Sequence, residues 1–132
     1  MDLVKGIKER RSIRKFQDKP IDRKLIEEIV ETARFAPSWK NTQIVRYLVV
    51  DDKEKIAAIA NSKCTYGFDY NIKAIAGAPA VVILTFVEGR SGFDKDGSFS
   101  TPKGEGWQMF DAGIAAQTFC LAAHEKGLGT VI

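Results

Sequence analysis

Arg10, Arg11, Ser12 and Arg14 place three guanidinium groups and a hydroxyl within five residues near the start of the chain. A guanidinium presents planar paired donors that match phosphate oxygens, and a serine hydroxyl beside it adds a neutral donor. The cluster can therefore grip a phosphate dianion. It can equally be the solvated end of an amphipathic helix, because cations are favoured at a helix C-terminus.

A second polar group lies downstream, in the segment Pro37-Ser38-Trp39-Lys40-Asn41-Thr42-Gln43. The amides of Asn41 and Gln43, following the hydroxyl of Ser38, offer donors and acceptors that suit the edge of a planar heterocycle. Alone they read equally well as turn residues. Combined with the phosphate-type cluster they describe a planar ring on a phosphate tail, as in a nucleotide or a flavin.

Other chemistries lack their residues. No GxxxxGK[ST] loop or GxGxxG fingerprint occurs, so nucleoside triphosphate and Rossmann-type dinucleotide sites have no support. The single histidine, His124, falls in the last turn of an expected helix, where it serves as a capping or packing residue. This leaves a serine hydrolase without its base and a histidine-rich metal site without its ligands. Cys64 and Cys120 form no CxxC pair and no disulfide framework. Cys120, inside an apolar stretch, packs as a small hydrophobe.

The elements that must position these residues are marked by caps and periodicity. Asp2 is placed to cap a first helix with Leu3, Val4 and Ile7 as its apolar stripe, and the basic cluster falls at its C-terminal end. Asp22 caps a second helix, with Ile21 and Ile26 as a hydrophobic staple, and Pro37 follows its end. Its buried face is Leu25, Ile26, Ile29, Val30 and Ala33. A strand is expected over 44–50 and a short helix over 53–60, whereas 61–76 has a weak pattern with grouped aromatics. The apolar run 80–87 predicts a central strand covered on both faces. Residues 88–106, rich in glycine and charge, are expected to form a long, mobile excursion. From Gln108 to Lys126 the composition predicts a helix buried around most of its circumference, stopped by Gly127 with Leu128 as the accompanying contact. Thr130 to Ile132 then begins a strand, so the sequence is expected either to continue in a longer protein or to pair there with a neighbouring strand or subunit.

At 132 residues, with 45% hydrophobic and 28% charged residues, the chain has the size and composition of a single soluble domain. Its net charge of +3 arises from interspersed acids and bases, without the broad basic field of nucleic-acid binding. Any anion site should be local. Neither a secretory-type apolar core nor a run of membrane-spanning length is evident, and a cytoplasmic location is the expectation.

Three separated motifs resemble the FMN-dependent nitroreductases over nearly the whole chain. Arg10-Arg11-Ser12-Ile13-Arg14-Lys15-Phe16 is similar to that family's RRSxRxF opening, and Ala36-Pro37-Ser38 through Asn41 to Gln43 is similar to its APSxxNxQ segment. Asp111-Ala112-Gly113 to Gly127-Leu128-Gly129 resembles its central helix. The resemblance implies an α+β fold, with a central mixed and mainly antiparallel sheet flanked by helices, in an intertwined homodimer carrying two flavins at its interface. The chain is then one flavin-binding domain, residues 1–132, lacking the family's C-terminal part.

The implied function is an FMN oxidoreductase, passing electrons from NAD(P)H through bound flavin to nitroaromatics, quinones or similar small-molecule acceptors. The alternative is a protein that binds a flavin or phosphate ligand without turnover. By resemblance, Arg10 and Ser12 bind the FMN phosphate with help from Arg11, while Arg14 meets the pyrimidine edge and stabilises the negative charge of the reduced flavin. Pro37, Ser38, Trp39, Asn41 and Gln43 belong to the loop that packs on the ring from the partner subunit, and Asn71, with Lys73, supplies contacts to the ring edge. No metal and no nucleic-acid or membrane partner is implied. Two departures stand out: Ile44-Val45 replaces the family's usual Pro-Trp pair, and the family's contacts to flavin N5 and a distal phosphate-binding base fall beyond Ile132.

Overall fold

The computed structural model of the chain describes residues 2–61 and 63–132. Three helices begin with the same device, an aspartate whose carboxylate takes up an otherwise open N–H of the first turn. Asp2 accepts from the Lys5 N–H at 2.9 Å and opens α1, Leu3–Glu9. Asp22 accepts from Lys24 at 3.0 Å and opens α2, Arg23–Ala33. Asp52 accepts from Lys55 at 2.9 Å and opens α3, Lys53–Ile59.

The next helix, α4, Asp69–Ala76, falls in the stretch whose pattern was too weak to define an element, and it starts without a side-chain cap. It buries only Ala74, so the apolar repeat that marks a helix in sequence is nearly absent. The longest helix is α5, Gly106–Glu125. It ends as expected: Gly127 takes a φ of +77°, and the Leu128 N–H reaches back to the Ala123 carbonyl at 2.9 Å, which closes the last turn in a Schellman arrangement.

Strands β1, Val45–Val50, and β2, Val81–Phe86, pair antiparallel with Val45 opposite Phe86 and Val50 opposite Val81. The architecture is therefore α+β. The sheet has two strands among the described residues, so β2 is not the doubly covered central strand that its composition suggested. Its residues are half-buried and Thr85 is exposed, since among the described residues it pairs with β1 alone.

Ile26, Ile29 and Ala33 of α2 meet Ala115, Cys120 and Ala123 of α5 in the core, with Ile44 buried at the start of β1. Each such isoleucine contributes roughly 1.5–3 kcal/mol through apolar burial. Tyr47 stacks on Phe119 at 5.7 Å and joins β1 to α5. Two expected faces turn out differently. Leu3, Val4 and Ile7 are 70%, 57% and 53% exposed, and the buried residue of α1 is Gly6. In α5 the buried set includes polar Gln108 and Asp111, while Met109 and Phe110 are exposed.

The segment 88–106 is also more built than its composition suggested. Ser91, Gly92 and Gly104 are buried, and Phe93 bridges to Phe99 with their rings 5.2 Å apart. Asp94 receives the Ser100 hydroxyl at 2.6 Å, and the Trp107 indole donates to Thr101 at 2.8 Å. Local polar pairing has taken the place of an apolar core here. No helix among the described residues is long and apolar enough to cross a membrane.

Candidate functional site

Helix α1 delivers the basic cluster at its C-terminal end, where cations oppose the negative end of the helix dipole. The Arg10 N–H closes the helix on the Gly6 carbonyl at 3.0 Å, after which the chain straightens. Ser12 then forms a parallel bridge with Thr130, and the Ile13 N–H donates to the Thr130 carbonyl at 2.8 Å. Gly129 permits this approach. A Cβ there would lie 2.9–3.1 Å from the atoms of Ile13.

The three arginines have different surroundings. Arg11 donates Nη1 to the carbonyls of Lys8 at 2.6 Å and Arg10 at 2.9 Å, so it caps the helix that carries it. The half-buried Arg10 and exposed Arg14 have no side-chain hydrogen bond or ion pair among the described residues. The Ser12 hydroxyl is exposed between them. A fixed backbone thus presents two open guanidinium groups and a neutral donor.

The second motif forms a tight loop. Trp39–Asn41 makes a 3-10 turn, Ser38 Oγ accepts the Gln43 N–H at 2.9 Å, and Gln43 Nε2 donates to Asn41 Oδ1 at 3.2 Å. Lys40, Asn41 and Gln43 have φ of 44°, 55° and 51°. A left-handed conformation in a residue with a Cβ is disfavoured, and it persists where the surroundings over-determine it.

Here the determinant is Asp111 of α5, a carboxylate only 2% exposed. It accepts the Trp39 N–H at 3.1 Å to each oxygen and the Ser91 hydroxyl at 2.5 Å. Ser91 Oγ in turn bonds Thr42 Oγ1 at 2.6 Å. The Trp39 ring packs on Trp107 at 4.6 Å, leaving its Nε1 buried without a partner among the described residues. Sequence reasoning singled out the loop but missed Asp111, Ser91 and Thr42 as the residues that hold it. The available signal was a carboxylate inside an otherwise apolar helix, a placement that demands hydrogen-bond partners.

Two cavities adjoin these elements. One, of about 560 Å³, lies against the loop and β1 and is lined by Pro37, Ser38, Asn41 and Gln43. The other, of about 840 Å³, is mainly apolar and includes Ile13, Phe16 and Thr130 in its wall. Neither cavity is lined by residues of both motifs. Asn71 and Lys73 are exposed on α4 and line neither. Tyr47 borders both cavities with a buried hydroxyl that has no partner among the described residues, and desolvation raises its pKa above the ordinary phenol value.

The sequence profile of the Nitroreductase family matches residues 7–65 and 67–132. The chain belongs to the nitroreductase family. Within it, the chain is 32% identical over 131 residues to a Methanothermobacter thermautotrophicus protein named for NADH dehydrogenase/NAD(P)H nitroreductase activity, covering 99% of this chain and 60% of that one. It is 30% identical over 137 residues to the FMN reductase [NAD(P)H] of Bacillus subtilis, covering 98% of this chain and 53% of that protein. Among solved structures, the FMN-dependent nitroreductase of Clostridium difficile R20291 superposes with a TM-score of 0.71 at 33% identity, over 96% of this chain and 63% of that one. The chain thus spans between half and two thirds of the length of these relatives, in the arrangement common to nitroreductases.

Proposed function

We propose that this nitroreductase-family chain is the flavin-binding part of an FMN oxidoreductase that takes electrons from NAD(P)H and delivers them to a small-molecule acceptor such as a nitroaromatic or a quinone. The observation that carries the reading is the pair of open guanidinium groups, Arg10 and Arg14, flanking the exposed Ser12 hydroxyl on a backbone pinned to Thr130. That donor set fits a phosphorylated flavin. Thr130 Oγ1 and Trp39 Nε1, both buried without partners among the described residues, add polar atoms suited to a ligand.

In this reading Arg10 and Ser12 hold the FMN phosphate, and Arg11 stabilises the helix end that presents them. Arg14 supplies positive charge at the pyrimidine edge, where electron gain makes the ring more negative. Bound FMN supplies the two-electron redox chemistry, which the protein's side chains cannot perform. The Pro37–Gln43 loop offers Ser38, Trp39, Asn41 and Gln43 to the ring from a second copy of the chain, consistent with the two motifs lining different cavities in one copy. Asn71 is proposed as a contact to the ring edge. The names of the Bacillus subtilis and Clostridium difficile relatives support the cofactor, that of the Bacillus subtilis protein also supports the NAD(P)H donor, and the two free thiols support a cytoplasmic setting.

The visible spectrum of the purified chain before and after adding FMN tests the reading. Binding should quench FMN fluorescence, and Arg10→Glu should weaken it by about a hundredfold, the loss expected for a charge-assisted phosphate contact turned repulsive. Lys8→Glu, one turn earlier, should leave it nearly unchanged. A chain that neither binds FMN nor distinguishes these variants would sink the proposal, while FMN binding without NAD(P)H oxidation in the presence of a quinone would favour the purely ligand-binding alternative.

A further inference from the structure

We propose that the cavity between the Pro37–Gln43 loop, β1 and Arg90 is an anion subsite for a phosphate-bearing ligand, distinct from the Arg10–Arg14 cluster. Its wall contains Arg34, Arg46 and Arg90 beside Ser38, Asn41 and Asp111. The one carboxylate in this wall is already engaged by the Trp39 N–H and the Ser91 hydroxyl. Positive charge therefore prevails.

The donors are positioned by other contacts. Arg46 Nη1 is fixed by the carbonyls of Gln43 at 2.8 Å and Val45 at 2.9 Å, leaving Nε and Nη2 without partners among the described residues. Arg90 has no side-chain partner among the described residues, yet its backbone is held on both sides. The Gly89 N–H donates to Gln108 Oε1 at 2.8 Å, and Ser91 is tied to Asp111 and Thr42. Arg34 pairs with exposed Glu31 at 3.4 Å and lies over the Phe35 ring at 5.5 Å, surface contacts that compete weakly with a ligand. Ser38 Oγ accepts from Gln43, so its own proton is available, and Asn41 Oδ1 accepts from Gln43, which leaves its amide nitrogen as a donor.

Guanidinium forks joined by neutral donors form a phosphate-type environment. A volume of about 560 Å³ exceeds what one phosphate needs and suits a phosphorylated molecule. In the oxidoreductase proposed above, the subsite would receive the phosphates of the dinucleotide donor, since it shares Ser38 and Asn41 with the proposed flavin contacts and so adjoins the ring. That assignment rests on the flavin reading. Anion binding at the cavity does not.

Calorimetric titration of the Arg10→Glu chain, in which the first phosphate cluster is disabled, with inorganic pyrophosphate tests the subsite. On that background Arg90→Glu should weaken binding about tenfold and Arg34→Glu several-fold, and Arg90→Lys should recover part of the loss. NADH should displace pyrophosphate. The proposal is overturned if pyrophosphate does not bind the Arg10→Glu chain, or if Arg90→Glu and Arg34→Glu leave its affinity unchanged. Displacement by benzoate but not by NADH would also overturn it, marking a carboxylate site instead. Arg90-dependent pyrophosphate binding in a chain that ignores FMN would leave the subsite standing and remove the flavin reading; FMN binding with Arg90-independent pyrophosphate binding would do the reverse.

Discussion

Asp111 stands between a buried helix and a strained loop, and its carboxylate ties them together. Removing it strands the Trp39 N–H and leaves the buried Ser91 hydroxyl with Thr42 alone. Asp111→Ala should therefore cost about 3 kcal/mol of stability, and Asp111→Asn, which keeps shape and an acceptor oxygen, about half as much. Urea unfolding followed by tryptophan fluorescence would measure both. Tyr47 is the complementary case, a buried hydroxyl with no partner among the described residues and a pKa raised by desolvation. Because the unfolded chain ionises this phenol first, the associated stability is present below about pH 10 and is lost as pH rises through the folded value. Tyr47→Phe should flatten that alkaline fall in stability, seen by comparing melting temperatures from pH 9 to 11, and should not destabilise the chain at neutral pH.

Among the elements, α5 depends on where it stops. The left-handed Gly127 turns the chain so that Thr130 can meet Ser12, which links the helix terminus to the placement of the basic cluster. Gly127→Ala should cost about 1 kcal/mol through its positive φ, and a fall in FMN affinity alongside the fall in melting temperature would connect the cap to the site. The capped helices α1, α2 and α3 and both strands were legible in the sequence, because each carries an aspartate cap or a run of branched residues within its own span. By contrast, α4 was not, since an uncapped helix of eight residues with one buried alanine has little local signal. The folded character of 88–106 was hidden for a related reason: its fixed points, Ser91 and Gln108, act through partners distant in sequence.

At the scale of the whole molecule, the exposed stripe Leu3, Val4 and Ile7 and the exposed Met109 and Phe110 are apolar surface that one chain does not cover. The proposed homodimer gives that surface a partner. Leu3→Lys combined with Ile7→Lys should then shift the sedimentation profile from dimer to monomer and weaken FMN binding with it, while the unfolding free energy of the isolated monomer, from urea titration, stays within about 0.5 kcal/mol, as for exposed substitutions in general.

The sequence by itself determined which residues carry chemistry and on which local elements they ride. Caps, β-branched runs and the arginine and amide motifs are encoded within a few residues of where they act. Only the tertiary structure decided that Arg11 turns back to cap α1, that Asp111 and Ser91 hold the Ser38–Gln43 loop, and that Arg34, Arg46 and Arg90 line one cavity. Those outcomes depend on long-range packing, where burial makes each polar group seek a partner from elsewhere in the chain.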